Sequence, residues 1–389
     1  MSDKAAPVLP AAGKGLQNIV VGQTKLSLVN GTEGKLIYAG YKIEDLAEHA
    51  TFEEVTYLLW HGQLPTVSQL ENLRKAIQGE MALSPEILTL MATLPHTATP
   101  MAVLRTVVSA LSLWDPKADD NSPEENRRKA LLLTAKTPTI AAAWERIRTG
   151  KEPVAPRADY TLAQNFLYML KGTEPKPQET AVIDAYFVLL SEHGMNASTF
   201  SARVTTSTLS DMYSAITTAI GTLKGAAHGG ANEEAMRMFF EIGSVDNVDK
   251  WFNENIRTGK KRVMGMGHRV YKALDPRAAV LNKKAKAMAE ATGNGQWYDL
   301  ASKLDKTARA DDDFIKKNLY ANVDFYSAIA LYTIGIPMDQ FTPLFAIARI
   351  PGWTAHIIEQ WADNRLIRPD VEYIGPMDLT WVPIEQRGN

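Results

Sequence analysis

Residues 41–62 read YKIEDLAEHATFEEVTYLLWHG, and this stretch decides the class of fold. In its middle, Thr51 and Glu54 form the Thr-x-x-Glu pattern that caps a helix N-terminus from both sides. The apolar residues at the i, i+3, i+4 spacing of a helix face are Ile43, Leu46 and Ala47 before this cap and Val55, Leu58 and Leu59 after it. The stretch therefore predicts two short helices that meet at the cap.

Outward from this stretch, most of the chain repeats the helical spacing. Residues 101–114, 181–192 and 326–335 each carry apolar side chains at helical intervals. Alternating strand patterns are rare, and the best one is Gly34–Ala39, which predicts a short hairpin arm. We therefore predict an all-α protein with minor β structure near the N-terminus.

Length and composition limit the possible functions. The chain has 389 residues, which predicts two domains, and its formal net charge of −2 is small for a nucleic-acid-binding protein. It contains no cysteine, which excludes disulfide scaffolds, thiol nucleophiles and zinc–thiolate sites. Residues 1–15 resemble a flexible leader rather than a signal peptide, and no apolar run is long enough to span a membrane. We expect a cytoplasmic protein.

The segment from Ser207 to Ala231 consists mostly of small residues. Ser, Thr, Ala and Gly make up 16 of its 25 positions. Small side chains let helix backbones approach closely, so the segment predicts a tightly packed central helix. A second interpretation places this helix at a subunit interface, against its own symmetry mate.

Two histidines lie in glycine-rich settings. His228 stands in AAHGGANE, where the absence of bulk would let a ligand reach the imidazole, although Gly225 or Gly229 also suits a left-handed helix cap. His268 stands in GMGHRVYK, after the basic run RTGKKR at 257–262. This cluster suits phosphate groups, but a solvated basic loop would have the same sequence, and two glycines do not complete a dinucleotide-binding fingerprint.

Several further polar residues could serve either chemistry or structure. Asp324 in ANVDFYSA could be a helix N-cap or a general base, and His193 in SEHGMNAS could simply mark a helix junction. Arg349 and Arg368 each stand beside proline among apolar residues, where a salt-bridge partner is the common role.

Taken together and in this order, the motifs resemble those of the citrate synthase family. The family signature G-x-G-H-x-V-x(3–4)-D-P-R is matched at 265–277, the HG-x-AN-x-E segment at 228–233 and the N-V-D segment at 322–324. In the N-terminal half, GTEGKLIYAGY, FEEVTYLLWHGQLPT and PMAVLRTVVSAL are also similar to the family. The resemblance extends from about residue 20 to residue 380.

The resemblance implies condensation of acetyl-CoA with oxaloacetate, followed by hydrolysis of citryl-CoA. It assigns Asp324 as the base that removes a proton from the acetyl group. It assigns His228 as the donor to the thioester oxygen and His268 as the donor to the ketone oxygen of oxaloacetate. No cofactor or metal is implied, with acetyl-CoA acting as a co-substrate.

The resemblance also implies the binding residues. Oxaloacetate would be held by His193, Arg277, Arg349 and Arg368, with Arg368 supplied by the other subunit of a homodimer. CoA would meet the residues Val263, Met264, Gly265 and Gly267, together with Arg262 and Lys272. The implied fold has a large domain, residues 16–228 and 335–389, that forms the dimer, and a small mobile domain, residues 229–334, that closes over the substrates.

Three alternatives stay open at this point. One is 2-methylcitrate synthase, which uses propionyl-CoA; those enzymes commonly have proline after the GxGH histidine, where this chain has Arg269. The second is a metallohydrolase, although the histidines lack an HxxxH or HxH spacing. The third is a non-catalytic helical scaffold, for which the histidines, Asp324 and the arginines would be unrelated.

Overall fold

The computed structural model describes residues 14–16 and 19–387. Its helices are α1 (Ile43–His49), α2 (Phe52–His61), α3 (Val67–Glu80), α4 (Pro85–Ala92), α5 (Pro100–Leu111), α6 (Pro123–Arg148), α7 (Leu162–Lys171), α8 (Pro177–Leu190), α9 (Ala197–Ser207), α10 (Met212–Leu223), α11 (Ala231–Ile242), α12 (Val248–Trp251), α13 (Pro276–Thr292), α14 (Gln296–Arg309), α15 (Asp312–Lys316), α16 (Val323–Thr333) and α17 (Phe341–Ala362). Short 3₁₀ turns lie at Lys14–Leu16, Ser112–Trp114, Val245–Asn247, Met338–Gln340 and Ile384–Gln386, and a π turn at Phe252–Ile256.

The all-α class predicted from the sequence is confirmed. The strands β1 (Ser27–Asn30), β2 (Lys35–Tyr38) and β3 (Tyr41–Lys42) form one small antiparallel sheet, in which the predicted arm supplies the central strand. In the described part of the chain, no helix is long and apolar enough to cross a membrane. The predicted leader, 1–15, lies almost wholly outside the described residues.

The opening stretch folds as its sequence predicts. Thr51 caps α2 with a complete capping box, because its side chain accepts from the Glu54 N–H and the Glu54 carboxylate accepts from the Thr51 N–H. The helix ends at Gly62, whose φ of 72° is the left-handed value that favours glycine. Both helices bury their apolar face in the main core.

The small-residue segment is not one helix. It comprises the last residue of α9, a short connection, α10 and the turn that follows α10. In the connection, Leu209 has a φ of 66°, and Asp211 then caps the N-terminus of α10. Helix α10 packs on α5, α9 and α17 of the same chain. The tight packing predicted for these residues is present within the chain, and a subunit interface there stays a prediction.

Helix α17 forms the centre of the helical core. It packs against α2, α5, α6, α8, α9, α10 and α11. Nearly all of its side chains are buried, including Arg349 and His356. A second group of helices, α11 to α16, precedes α17 in the chain, and its α13 and α16 pack against α8. The charged groups of interest lie where these two groups of helices meet.

Candidate active site

Backbone pairing brings two of the predicted motifs together. The GxGH loop lies beside the NVD segment: Met266 bridges Ala321, and the Gly267 N–H donates to the Tyr320 carbonyl over 2.8 Å. Gly265 has a φ of 76°, and a Cβ there would come within 2.8 Å of the Phe325 backbone. This position therefore requires glycine for the two segments to touch.

Asp324 lies in the first turn of α16, but it is not the N-cap. Asn322 caps the helix, its Oδ1 accepting from the Asp324 N–H over 2.9 Å, so the N-cap interpretation of Asp324 is wrong. The Asn322 amide also donates to the Gly267 carbonyl over 2.8 Å, which ties the cap to the GxGH loop. Burial raises the pKa of Asp324 to about 6, which makes its carboxylate a stronger base than an exposed one.

His268 is held as a neutral ring with a defined tautomer. Its Nδ1 accepts from the N–H groups of Val270 and Tyr271, over 3.0 and 3.2 Å. Because burial and the charge of Arg277 lower its pKa to about 4, the ring is neutral near pH 7. The proton therefore lies on Nε2, which is available as a hydrogen-bond donor.

His228 carries its proton on the other ring nitrogen. It lies in the turn after α10, and its Nε2 faces Ser198, with the hydroxyl at 2.8 Å and the backbone N–H at 3.3 Å. A backbone N–H only donates, so Nε2 accepts and the proton lies on Nδ1. Burial, with Arg349 adding to it, lowers the pKa of His228 to about 4. This ring, too, is a neutral donor.

The glycines around His228 serve the backbone. The Gly229 N–H donates to the Leu223 carbonyl over 2.9 Å, and a Cβ on Gly229 would come within 2.5 Å of that oxygen. Neither Gly225 nor Gly229 has a positive φ, so the predicted left-handed cap is wrong. The close approach ends α10 and leaves the side chain of His228 turned towards Ser198.

His193 and two buried arginines complete the group of charged and polar side chains. The ring of His193 lies 5.4 Å from that of His268, and its Nε2 is 3.1 Å from the Tyr271 hydroxyl. Burial, aided by Arg277 and other nearby positive groups, lowers the pKa of His193 well below its usual range. Arg277 is paired with Asp275 through two hydrogen bonds of 3.0 and 2.8 Å.

Arg349 differs from Arg277 because no carboxylate lies within ion-pair distance of it in the described part of the chain. Its Nε donates to the Leu190 carbonyl, and its guanidinium carbon lies 4.9 Å from the ring centre of Phe345. The side chain is 1 % exposed. A buried guanidinium without a paired carboxylate is a strong potential binding group for a carboxylate ligand.

Within its own chain, Arg368 does not lie beside these side chains. Its side chain is 77 % exposed, with Asp370 as its ion-pair partner at 3.4 Å. The preceding Ile367 is hydrogen-bonded to Ser207, at the end of α9, whereas His228 contacts Ser198 at the start of that helix. Ser198 and Ser207 are nine positions apart on this helix, which corresponds to roughly 13 Å.

A broad cleft of about 960 Å³ opens beside His268. Of the residues predicted to contact CoA, Arg262, Val263 and Gly267 line it. Met264, Gly265 and Lys272 are not part of its lining; the backbone N–H of Lys272 instead donates to the Gly31 carbonyl. Arg257 and Lys261, from the basic run that the sequence predicts to suit phosphate groups, also line the cleft, together with Arg269 and Lys317, which were not among the predicted CoA contacts.

Three supporting residues were also missed. Ser198 sets the tautomer of His228, Tyr271 contacts His193 and His268, and the indole N–H of Trp353 donates to the Ser198 hydroxyl over 3.2 Å. Ser198 and Tyr271 stand inside the motifs that the sequence analysis quoted, so closeness to a candidate histidine was a usable signal. For Trp353, the only signal in the sequence is that it stands four residues after Arg349 and so shares a helix face with it.

The arrangement is suited to removing a proton from carbon. A carboxylate with a raised pKa lies in the same region as two neutral histidines that each offer one N–H, and oriented donors of this kind stabilise an enolate oxygen. The buried arginines suit a substrate that carries carboxylates. Among residues 14–16 and 19–387, no three His, Cys, Asp or Glu side chains form a potential metal site. The fold and site thus define a class of all-α enzymes whose catalytic and substrate-binding side chains are His, Asp and Arg.

Comparison with known proteins identifies the family. The family model "Citrate synthase, C-terminal domain" matches residues 15–370. Citrate synthase 2 of Bacillus subtilis is 46 % identical over 377 residues, covering 97 % of this chain and 99 % of its own. The 2-methylcitrate synthase of Mycobacterium tuberculosis is 41 % identical over 369 residues, covering 94 % and 91 %. The chain belongs to the citrate synthase family.

The likeness extends to solved structures. The ternary complex of citrate synthase from Thermoplasma acidophilum with carboxymethyl coenzyme A and oxaloacetate has a TM-score of 0.91 to this chain at 34 % identity. The match covers 96 % of this chain and 99 % of that one. Membership in a family of transferases sets aside the helical-scaffold alternative.

Proposed function

We propose that this protein condenses acetyl-CoA with oxaloacetate and hydrolyses the resulting citryl-CoA to citrate and CoA. The observation that carries the proposal is the grouping of Asp324, His228 and His268 around buried arginines in a chain of this family. The chemistry requires a base for a weakly acidic methyl group and two donors for oxygens that become negative. Each of these needs has a matching side chain.

The first step is enolisation of the acetyl group. Asp324 accepts a proton from the methyl carbon, and the Nδ1–H of His228 donates to the thioester oxygen as it gains charge. Two properties support these roles: the raised pKa of Asp324, about 6, and the neutral His228 ring whose Nε2 is occupied by Ser198. A neutral donor keeps its proton at physiological pH and therefore stabilises the enolate without requiring acidic solvent.

In the second step, the enol carbon attacks the ketone carbon of oxaloacetate. The ketone oxygen becomes an alkoxide, which accepts a hydrogen bond from the Nε2–H of His268. The two substrate carboxylates meet Arg277 and Arg349 in this chain, with His193 as a further ligand. Water then cleaves the thioester and releases CoA, whose phosphates we place at Arg262 in the cleft beside His268, which is lined by five basic residues and by three aspartates, 311–313.

The proposal includes a homodimer in which Arg368 completes the site of the other subunit. Its support is the exposure of Arg368 and of the apolar side chains on either side of it in the sequence. Those that are more than a third exposed within residues 366–384 are Leu366, Val371, Tyr373, Ile374, Met377, Leu379, Trp381, Val382 and Ile384. A patch of this kind is typical of a surface that another protein covers. The division at 228/229 and 334/335, with closure of the small domain, belongs to the same proposal, as does a cytoplasmic location.

A thiol-release assay tests the proposed reaction. Acetyl-CoA with oxaloacetate should release free CoA, and replacement by propionyl-CoA should lower kcat/KM because an additional methylene group changes transition-state binding by about 1–3 kcal/mol. Omission of oxaloacetate is the control for simple thioesterase activity. A higher kcat/KM with propionyl-CoA would instead assign the protein as a 2-methylcitrate synthase, the alternative that the Mycobacterium tuberculosis relative keeps open.

A further inference from the structure

One face of α17 contacts the whole segment that carries His193 and Ser198. Arg349, Gly352, Trp353 and His356 follow the i, i+3, i+4, i+7 spacing of a single helix face. Each one reaches residues 190–198: Arg349 and Trp353 by hydrogen bonds to Leu190 and Ser198, Gly352 by close approach to Ser191, and His356 through Glu192. The segment that carries substrate-facing groups is therefore shaped by this face.

At the centre of these contacts lies a buried carboxylate, that of Glu192. Its Oε1 accepts from the His356 Nε2–H over 3.0 Å, from the Ser27 hydroxyl over 2.9 Å and from the Gly194 N–H over 2.5 Å. Its Oε2 is buried without a hydrogen-bond partner among the described residues, 2.6 Å from where a Cβ on Gly352 would stand. Burial opposes ionisation of Glu192, whereas the hydrogen bonds from His356 and Ser27 and the charge of Arg349 favour its charged form.

His356 does not neutralise Glu192. The guanidinium of Arg203 donates to its Nδ1 over 3.1 Å, so Nδ1 accepts and the ring carries its proton on Nε2 alone. Arg203 itself is paired with Glu359, with 2.7 Å between Nη1 and Oε2. The charges of Arg203 and Glu359 therefore offset each other, and the negative charge of Glu192 remains available to another cation.

That cation is Arg349. Burial lowers the pKa of this guanidinium, and the strongest influence in the opposite direction is the charge of Glu192. The two groups lie beyond the 4.0 Å of an ion pair, but both are enclosed in the interior, where charges interact over longer distances than in water. Arg277 has Asp275 as its own close partner. Among the charges that act on Arg349, that of Glu192 therefore opposes the effect of burial most strongly.

We propose that Glu192 is the resident counter-charge of Arg349 and a positioning residue of the oxaloacetate pocket. It stabilises Arg349 in the free enzyme without pairing with it, so the guanidinium stays open to a substrate carboxylate. Its Oε1 meanwhile holds the turn at Gly194 and so the placement of His193. The substrate role in this inference rests on the proposed function. The charge coupling between Glu192 and Arg349 does not.

Glu192→Gln tests the charge, because glutamine keeps the acceptor oxygen and removes the negative charge. We expect the Tm of the free enzyme to fall by several degrees, because a buried cation loses its counter-charge. We also expect oxaloacetate to bind about tenfold more tightly without acetyl-CoA, which corresponds to one pKa unit of electrostatic interaction. Unchanged or weaker binding of oxaloacetate by this variant would overturn the counter-charge role.

Two further variants complete the design. Glu125→Gln is the matched control: it breaks the ion pair of another buried carboxylate, with Arg128 on α6, outside this network, and should lower Tm with no change in the dissociation constant for oxaloacetate. Glu192→Ala removes the acceptor as well as the charge, and should weaken oxaloacetate binding relative to Glu192→Gln because the turn at Gly194 loses its anchor. Equal binding by the two Glu192 variants would overturn the positioning role.

A cycle with Arg349→Met measures the coupling without any substrate. If Glu192 balances Arg349, the double variant E192Q/R349M should have a Tm no lower than that of R349M, because neither buried charge then remains. Additive losses would contradict the coupling. If Glu192→Gln alone does not fold, recovery of folded protein in the double variant supports the proposal, and its failure to recover contradicts it. A protein that shows the coupling but binds no oxaloacetate would refute the proposed function while leaving the charge pair intact.

Discussion

Helix α17 and the segment that follows it present the same kinds of side chain in opposite environments. In α17, 18 of 22 residues are buried, among them Arg349. In residues 366–384, large apolar side chains point into solvent, Ile374 at 91 % and Trp381 at 74 % exposure, and Arg368 lies among them. Apolar side chains in the first region find partners within the chain, and those in the second do not.

The proposed site therefore draws on two kinds of residue, those buried within the chain and the exposed Arg368. Groups that reach it from inside, such as Asp324 and Arg349, have environments that already set their protonation and position. Arg368 has neither burial nor a strong partner, so its contribution depends on whatever covers the exposed segment.

Asp324→Asn should have the largest effect on activity. Loss of the base should reduce kcat by about 10³-fold, in line with the usual contribution of general acid–base catalysis. Oxaloacetate binding and the circular dichroism spectrum should be unchanged. Near-normal turnover in steady-state assays would contradict the assignment of Asp324 as the base.

The same substitution should stabilise the protein at neutral pH. Since the pKa of Asp324 is raised to about 6 from 3.8, the folded protein binds its proton more tightly than the unfolded chain, and the wild type loses stability as pH rises from about 4 to 6. Asparagine does not ionise, so above pH 6 the variant should gain up to about 3 kcal/mol in unfolding free energy. Below pH 4 this difference should vanish, as urea titrations at pH 4 and 7.5 would reveal.

Arg368→Ala should have a smaller effect, confined to substrate binding. The exposed side chain contributes little to the folded chain, so Tm should be unchanged while the oxaloacetate KM rises by about tenfold or more, the cost of one lost charged contact. Arg349→Ala, the buried counterpart, should lower both Tm and affinity. An Arg368→Ala enzyme with wild-type KM would remove Arg368 from the site.

Mixing variants identifies which subunit supplies Arg368. Neither Asp324→Asn nor Arg368→Ala dimers should be active at low oxaloacetate concentration. After subunit exchange at equal amounts, half of the dimers are mixed, and one of the two sites in each combines a normal Asp324 with the partner's normal arginine. About a quarter of wild-type activity should therefore appear. No recovery after demonstrated exchange would place Arg368 in its own subunit's site or outside it.

The sequence predicts local structure much better than contacts between distant segments. Helix α2 and its cap follow from local rules, because Thr51 and Glu54 contain both the signal and the partner. The candidate residues His228, His268 and Asp324 were found from motifs, but their tautomers depend on contacts between distant segments, such as Ser198 with His228. Helical spacing alone cannot show that Gly352 admits the Glu192 carboxylate, because that contact joins α17 to a turn about 160 residues earlier in the chain.

The smallest predicted effect concerns a single apolar side chain of the exposed segment. Ile374→Ala should weaken self-association by about 1–2 kcal/mol if a second subunit buries this side chain, which sedimentation equilibrium would measure as a roughly tenfold higher dissociation constant. Val67→Ala is the matched control, since Val67 is 77 % exposed at the start of α3, far from the C-terminal segment in sequence, and should leave association unchanged. Equal dissociation constants for both variants and the wild type would mean that Ile374 stays in solvent, and the exposed segment would then lose its role in bringing Arg368 to a neighbouring site. A selective effect of Ile374→Ala would instead mean that the apolar side chains that follow α17 find their partners in another copy of the chain.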